Sequence, residues 1–352
     1  MPVRGNQLNI QHNVPLAQFT TLKVGGPARF FVCAEAEQDV IDAFGFASEQ
    51  GADVFVLGGG SNILVSDKGL DGLVVKVAMK GIKFTQPNAA TTLLTAAAGE
   101  DWDPLVEAAV ARDLAGFECL SGIPGSVGGT PVQNVGAYGQ EVSETILSVR
   151  CFDHESGCIV DLANAECGFS YRRSIFNSTE RGRYVVLSVK YILTNNGRPR
   201  IAYKDVLDIF AGRQPSLAET REAVLHIRRA KSMVIDVDDP NSQSAGSFFK
   251  NPVVETSVVD SLRRFAGVQD VPFYKIDEEK VKVPAAWLIE NAGFAKGFRL
   301  GNAGISTNHS LALVNLGGAS AAEIVKLKEL VQARVEEKFG IRLEPEPILV
   351  GF

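Results

Sequence analysis

The stretch GFECLSGIPGSVGGTPVQNVGAYG, Gly116–Gly139, decides how this chain must be read. Seven glycines and two prolines stand within it. Glycine weakens helix and strand alike and proline removes a backbone donor, so no regular element runs through the segment. A loop of such length with no structure of its own is usually functional. Its polar members, Gln133 and Asn134, with Tyr138 for stacking, suit a planar heterocycle and its diphosphate. A second glycine segment, LGGGSN at Leu57–Asn62, ends a strand-like run. Its backbone N–H groups could approach a phosphate closely, with Ser61 and Asn62 as further donors; a bulged turn between two strands explains it equally well. No G-K-[ST] follows it, and no helix opens on G-x-G-x-x-G. The two loops together favour a dinucleotide site that is not of Rossmann type.

Around these loops the elements alternate. ARFFVCAE (Ala28–Glu35) reads as a strand, and Glu37–Gly51 puts Val40, Phe44 and Ala47 on one helical face. DVFVLGGGSNILVS is a strand running into glycines and out again, and LVVKV and TTLLTAAAG are further strands. The next helix should start with Asp103 as N-cap and Pro104 as first helical residue. ILSVRCFD and RYVVLSVKYIL read as strands of an antiparallel sheet. A capping box, Ser216 to Glu219, opens a helix carrying Val224 and Ile227 inward. MVIDVDDPNSQSAGS, rich in turn formers, is the boundary to a last domain. There PAAWLIENAG is a short helix with proline in its first turn and Gly293 at its end, and LALVN is a strand. A second capping box, Ser320 to Glu323, starts an amphipathic helix through Ile324, Leu327, Val331, Val335 and Phe339, closed by Gly340. In the final segment Pro345 and Pro347 predict an edge strand or an extended tail.

Composition narrows the function classes. At 352 residues two or three domains are expected, and 45% apolar with 22% charged residues is ordinary for a globular chain. The formal net charge is −6, with no long run of either sign, which argues against a nucleic-acid scaffold. Cys33, Cys119, Cys151, Cys158 and Cys167 form no C-x-x-C pair and read as reduced packing residues. The four histidines lack metal-ligand spacing, so no metal is expected. The opening residues carry no apolar signal core and no stretch reaches the length of a membrane span, so a cytoplasmic protein with no membrane partner is expected.

Four shorter stretches carry chemistry. In FSYRRSIF, Arg172 or Arg173 could clamp a carboxylate, or simply stack on tyrosine at the surface. In HIRRAKSM, Arg228 and Lys231 are expected on one helix face in its last turn, where basic residues also meet the helix dipole. In LEPEP, Glu344 and Glu346 would each pass as surface carboxylates. In QSAGSFFKNP, Ser247 stands between Gly246 and two phenylalanines, with Lys250 and Asn251 close behind.

In this order the stretches TTLKVGGPARF, LGGGSNILVSD, IPGSVGGTPVQNVGAYG, FSYRRSIF, IRRAK, AGSFFKNP, AAWLIENAG and LEPEP resemble the flavin-dependent UDP-N-acetylenolpyruvoylglucosamine reductase family over nearly the whole length. IAYKDVL resembles the longer of its two subtypes, which carries a tyrosine loop, here Tyr203. The resemblance implies an α+β fold: a split FAD-binding portion of vanillyl-alcohol-oxidase type in two subdomains, and a C-terminal α/β substrate-binding domain. The first subdomain would span 1–78, with 340–352 returning to it, and the second 79–233; the substrate domain would span 234–339. FAD would be held by Gly58, Gly59, Gly60, Ser61 and Asn62, and by Ile123, Pro124, Gly125, Ser126, Val127, Gly128, Gly129, Gln133, Asn134, Gly136, Ala137 and Tyr138. NADPH would deliver hydride to the flavin, which passes it to C3 of the enolpyruvyl ether of UDP-N-acetylglucosamine, giving UDP-N-acetylmuramate for peptidoglycan. Arg172 and a protonated Glu346 would stabilise the charge that develops, and Ser247 would protonate C2. Tyr171, Tyr203, Arg228, Lys231 and Asn251 would bind the substrate, with His309 a further neighbour. A monomer without a nucleic-acid partner is implied. Two rivals remain: another FAD oxidoreductase of the same superfold, and a non-catalytic UDP-sugar binding module.

Overall fold

The computed structural model describes residues 8–267 and 270–352, so the opening residues read above for a signal core lie partly outside the described ones. The chain divides into two compact units. The first takes the residues up to Val14, Ala28–Gly60 and Asp71–Arg229; the second takes Pro15–Pro27, Ser61–Leu70 and Ala230–Phe352.

Two sheets build the first unit. Strands Gln11–Pro15, Pro27–Ala34, Leu70–Val77 and Asp53–Leu57 lie side by side in that order, the last two parallel, with Leu57 opposite Lys76. Helix α1 (Glu37–Gln50) links Pro27–Ala34 to Asp53–Leu57 and buries Val40, Ala43 and Ala47, while residues 58–69, without a helix, connect the parallel pair. The second sheet is antiparallel, ordered Cys158–Ala163, Ile146–Asp153, Tyr184–Asn195, Thr91–Ala97, Ile82–Thr85. Helix α2 (Trp102–Val110) buries Trp102, Leu105, Val106 and Ala109 in the common core. Helices α3 (Lys204–Phe210) and α4 (Leu217–Ala230) pack through Val206, Phe210, Ala223 and Val224. The Ser216–Glu219 capping box forms as expected, the Ser216 N–H donating to Glu219 Oε2 (2.7 Å) and the Glu219 N–H to Ser216 Oγ (3.2 Å).

Helix α2 departs from expectation. Asp101, not Asp103, stands at its N-cap, and Pro104 falls at the third helical position. The Asp103 carboxylate is engaged elsewhere, accepting the Gly122 N–H and pairing with Arg221. A charge-assisted pair holds a carboxylate more strongly than a cap does, so Asp103 is not free to cap; Asp101 stands at the cap position without a side-chain cap bond, its carboxylate 3.5 Å from Lys80 Nζ.

The second unit is built around Phe248, Phe249, Leu288, Ile289, Leu313, Ile324, Leu327 and Val331. Leu22, Val24 and Leu64, from far earlier in the chain, complete that core. Strands Val253–Glu255, Lys280–Lys282 and Tyr274–Lys275 make one antiparallel sheet; Arg299–Leu300, Ala303–Ile305 and Leu313–Asn315 make another. Helices α5 (Val258–Ala266), α6 (Ala285–Asn291) and α7 (Ala321–Phe339) complete it. The Ser320–Glu323 capping box opens α7 and Gly340, at φ 67°, closes it, as the sequence predicts. Asp67 adds to its start by accepting the N–H groups of Ala321 (2.7 Å) and Ala322 (2.9 Å). Strand Ile348–Val350 pairs in parallel with Ile63–Val65. Among the described residues no helix is long and apolar enough to cross a membrane, and no group of His, Cys, Asp or Glu could hold a metal ion.

Candidate functional site

The glycine loops of the first unit meet backbone to backbone. A Cβ on Gly59 would lie 2.5 Å from Gly125 Cα, and one on Gly58 would lie 2.9 Å from Ser126 Oγ. Gly125–Gly129 is anchored to the chain leading into α2: Trp102 N–H donates to Gly125 O, Val127 N–H to Glu100 O, and Gly128 N–H to Ala98 O. Beneath it the Trp102, Phe117 and Tyr191 rings meet edge to face or tilted, and Tyr191 Oη lies 3.1 Å from Thr130 Oγ1. Burial raises the Tyr191 phenol well above its ordinary range, so this hydroxyl stays neutral. Lys76 Nζ, on the strand beside Asp53–Leu57, donates to Gly58 O (2.5 Å), and burial lowers its pKa.

A cofactor phosphate fits this cradle on two counts. The Ser126 hydroxyl is buried and finds no hydrogen-bond partner among the described residues, which is costly unless a ligand supplies one. A side chain at position 58 would crowd that hydroxyl at 2.9 Å, and glycine there keeps it clear.

Further along, Asn134 is fully buried and committed within the protein. Its Nδ2 donates to Glu141 Oε2 (2.7 Å) and Ser170 O (3.1 Å), while Oδ1 accepts the Ser143 N–H. Its side chain therefore braces the loop, leaving ligand contact to its neighbours. Arg172, at φ 54°, donates through Nη2 to Gly136 O (2.6 Å) and lies 5.3 Å from the Tyr171 ring centroid. Tyr138 meets Tyr203 edge to face at 5.6 Å and is hydrogen-bonded to Arg228. Burial pushes the Tyr138 phenol up and the Arg228 guanidinium down. Tyr203 is exposed at the start of α3. This unit therefore brings together Gly58–Gly60, Ile123–Tyr138, Tyr171, Arg172, Tyr203 and Arg228.

The second unit holds the other predicted residues. Ser61 and Asn62, expected in one loop with the glycines, belong here. Asn62 Nδ2 donates to Glu346 O (3.3 Å), and Ile348 N–H to Asn62 O (3.0 Å). Phe249 and Pro345 form an antiparallel bridge. Lys250 N–H donates to Glu344 O and Glu346 N–H to Phe248 O, each at 2.9 Å, so Ser247 and Glu346 lie on adjoining bridged segments. Gly246, at φ 74°, turns the chain just before the serine, and the Ser247 hydroxyl has no hydrogen-bond partner among the described residues. Lys250 pairs with the exposed Glu344 at 3.4 Å, which identifies Glu344 as the solvated carboxylate of the two.

Asn251 Oδ1 accepts the first N–H of α6, from Ala285, at 2.9 Å, a helix-start contact that leaves its amide NH2 for other use. His309 Nδ1 accepts the Leu311 N–H (3.3 Å) in a tight turn. Lys231 lies beyond the end of α4, not in its last turn as expected; the turn holds Arg228 and Arg229. The sequence reading missed Lys76, Asp103 and Arg221 as supports of the loops. Of these only Arg221 left a signal, since it stands seven residues before Arg228 and so on the same helix face.

A family model described as UDP-N-acetylenolpyruvoylglucosamine reductase, C-terminal domain, matches residues 238–350, and one described as FAD binding domain matches residues 28–163. The UDP-N-acetylenolpyruvoylglucosamine reductase of Saccharopolyspora erythraea is 44% identical, over 95% of this chain and 94% of that one. Its counterpart from Thermobifida fusca is 43% identical, over 96% and 97%. The crystal structure of the Thermus caldophilus UDP-N-acetylenolpyruvylglucosamine reductase is similar with a TM-score of 0.65 and 26% identity, over 98% and 99% of the two chains.

Proposed function

The chain belongs to the UDP-N-acetylenolpyruvoylglucosamine reductase family, and from that premise we propose the reaction and the residues that carry it. The protein is an FAD-dependent oxidoreductase of α+β fold that reduces UDP-N-acetylenolpyruvoylglucosamine to UDP-N-acetylmuramate, with NADPH as donor. FAD, when bound, relays hydride from NADPH to C3 of the enolpyruvyl group. Gly58–Asn62 and Ile123–Tyr138 hold it, with Ser126 as a phosphate donor. Five free cysteines, three of them buried, support a reducing compartment, and we place the enzyme in the cytoplasm as a monomer.

The chain's own residues handle the charge and the proton. As C3 gains hydride, charge grows at C2 and spreads into the carboxylate. Arg172 meets that carboxylate through its planar fork, one arm of which is already fixed on Gly136 O. Glu346, protonated, hydrogen-bonds the same developing charge. Ser247 gives C2 its proton. A hydroxyl is a weak acid, but its acceptor here is a carbanion, so geometry governs the step. The buried Phe248 and Phe249 fix the backbone, and Gly246 allows close approach. Tyr171, Tyr203, Arg228, Lys231 and Asn251 hold the nucleotide sugar, and His309 neighbours it.

One observation carries this reading: the Phe249–Pro345 bridge, which joins the segments that carry Ser247 and Glu346 although nearly a hundred residues separate them. The test is Ser247→Ala in rapid-mixing absorbance. Bleaching of the flavin by NADPH should be unchanged, while reoxidation by the enolpyruvyl substrate should slow by about 10²–10⁴-fold. Unchanged turnover would remove Ser247 from the chemistry. A purified protein that takes up no FAD would point instead to a binding module.

A further inference from the structure

Helix α4 grips the segment 122–138 at both ends. At one end Arg221 meets Asp103 through both arms of its fork, Nη1 to Oδ1 at 2.6 Å and Nη2 to Oδ2 at 2.9 Å, and Asp103 Oδ1 also accepts the Gly122 N–H at 2.6 Å. The Arg221 side chain is only 10% exposed, so this pair works in a low-dielectric setting. At the other end Arg228 is buried and hydrogen-bonded to Tyr138, whose ring packs with Ile201, Ile227 and the α3–α4 core. The two arginines are seven residues apart. That is two helical turns, about 10.5 Å along one face.

Through most of its course the gripped segment is the cofactor loop of the proposed reaction, and Arg228 is a proposed ligand of the substrate diphosphate. We infer that α4 is a coupling element: through the Arg221–Asp103–Gly122 contact, ordering of the cofactor loop sets the position of Arg228, so that cofactor and nucleotide bind with positive cooperativity. The inference rests on the functional reading above. A rigid helix with both ends tied to one loop cannot shift at one tie without moving the other, and a loop already ordered by one ligand costs the second less to order. By linkage the effect is reciprocal: nucleotide should tighten FAD by the same factor that FAD tightens nucleotide. Arg221 and Asp103 are accordingly positioning residues, since neither needs to touch a ligand. Arginine is required at 221 because lysine cannot make the paired contact.

The experiment is calorimetric titration with UDP of the full-length protein, stripped of FAD and then reloaded, for the native chain, Arg221→Lys, Arg221→Gln and Asp103→Asn. In the native chain FAD should lower the UDP Kd by about 5-fold or more. In Arg221→Gln the factor should fall below about 2, with the UDP affinity of the stripped protein little changed, and Arg221→Lys should fall between. A general loss of structure would weaken UDP binding in both forms and leave their ratio intact, so the ratio separates positioning from damage. Should Arg221→Gln not fold, Arg221→Lys and Asp103→Asn carry the same comparison. A native factor near 1, or a native-sized factor in a folded variant, overturns the coupling while leaving the functional reading standing. Failure of the native chain to bind either ligand overturns both.

Discussion

Gly59→Ala tests whether the two glycine loops must touch. The added Cβ would lie 2.5 Å from Gly125 Cα, 2.7 Å from its carbonyl carbon and 2.7 Å from Ser126 N, where ordinary contact begins at 3.4 Å. All three neighbours are backbone atoms with no rotamer of escape, so one loop must retreat by roughly 1 Å. Neither side yields easily. Leu57 is in parallel register with Lys76, and the Gly125 carbonyl and the Val127 and Gly128 N–H groups are all bonded to the chain before α2. Overpacking of this kind costs about 1–3 kcal/mol, which falls on the loop and so on FAD. At about 1.4 kcal/mol per decade, FAD affinity should drop about 5–150-fold. Titration of stripped protein with FAD, followed by flavin fluorescence, measures the loss, and a circular-dichroism melt confirms the fold. Gly45→Ala is the control. It lies exposed within α1 with nothing within 4 Å of the new Cβ, and should keep native FAD affinity while gaining about 0.5–1 kcal/mol of stability. A Gly59→Ala protein with FAD affinity within twofold of native would refute the claim that close backbone approach shapes the cofactor cradle.

Two further outcomes follow from the titratable groups. Cys33 and Cys158 are exposed, whereas Cys119, Cys151 and Cys167 are buried, burial pushing Cys119 and Cys167 up to about 12; a disulfide reagent at pH 8 should therefore modify two thiols of the native protein and five after denaturation. Burial would raise the Asp103 carboxyl, but the bonds from Arg221 and the Gly122 N–H outweigh it and hold its pKa below the usual 3.8. Asp103 thus contributes stability that is complete above pH 3.8 and is lost as pH falls through its folded value. Melting temperatures from pH 6 down to pH 3 should consequently fall more steeply at the acid end for the native chain than for Asp103→Asn; parallel curves would show that the pair contributes nothing to the fold.

What could be read from the sequence was local. The capping boxes at Ser216 and Ser320 each bond within four residues, and both stand where the pattern puts them. The apolar spacing from Ile324 to Phe339 likewise declared a buried helix face. Asp103 shows where such reading fails. Beside Pro104 it is a good cap, but its partner Arg221 stands 118 residues away, outside any window of periodicity. Leu22, Val24 and Leu64 fail in the same way. Nothing near them says that their core is completed by residues beyond Ala230.

The proposed catalytic pair lay in a middle position, each half visible as a motif and their meeting invisible. Proline disfavours a paired strand, and LEPEP therefore reads as either an edge strand or an extended tail. Yet the ladder accommodates Pro345, because Phe249 and Pro345 face one another at a position that exchanges no hydrogen bonds, the Lys250 and Glu346 N–H groups bonding on either side. A proline is tolerated only at alternate positions of such a strand, so its place fixes the register. With Pro345 opposite Phe249, the Glu346 N–H must fall on the Phe248 carbonyl, beside Ser247; a slip of one residue would demand an N–H from Pro345 that does not exist. The proline that leaves this segment ambiguous in the sequence is therefore the one that aligns the glutamate with the serine.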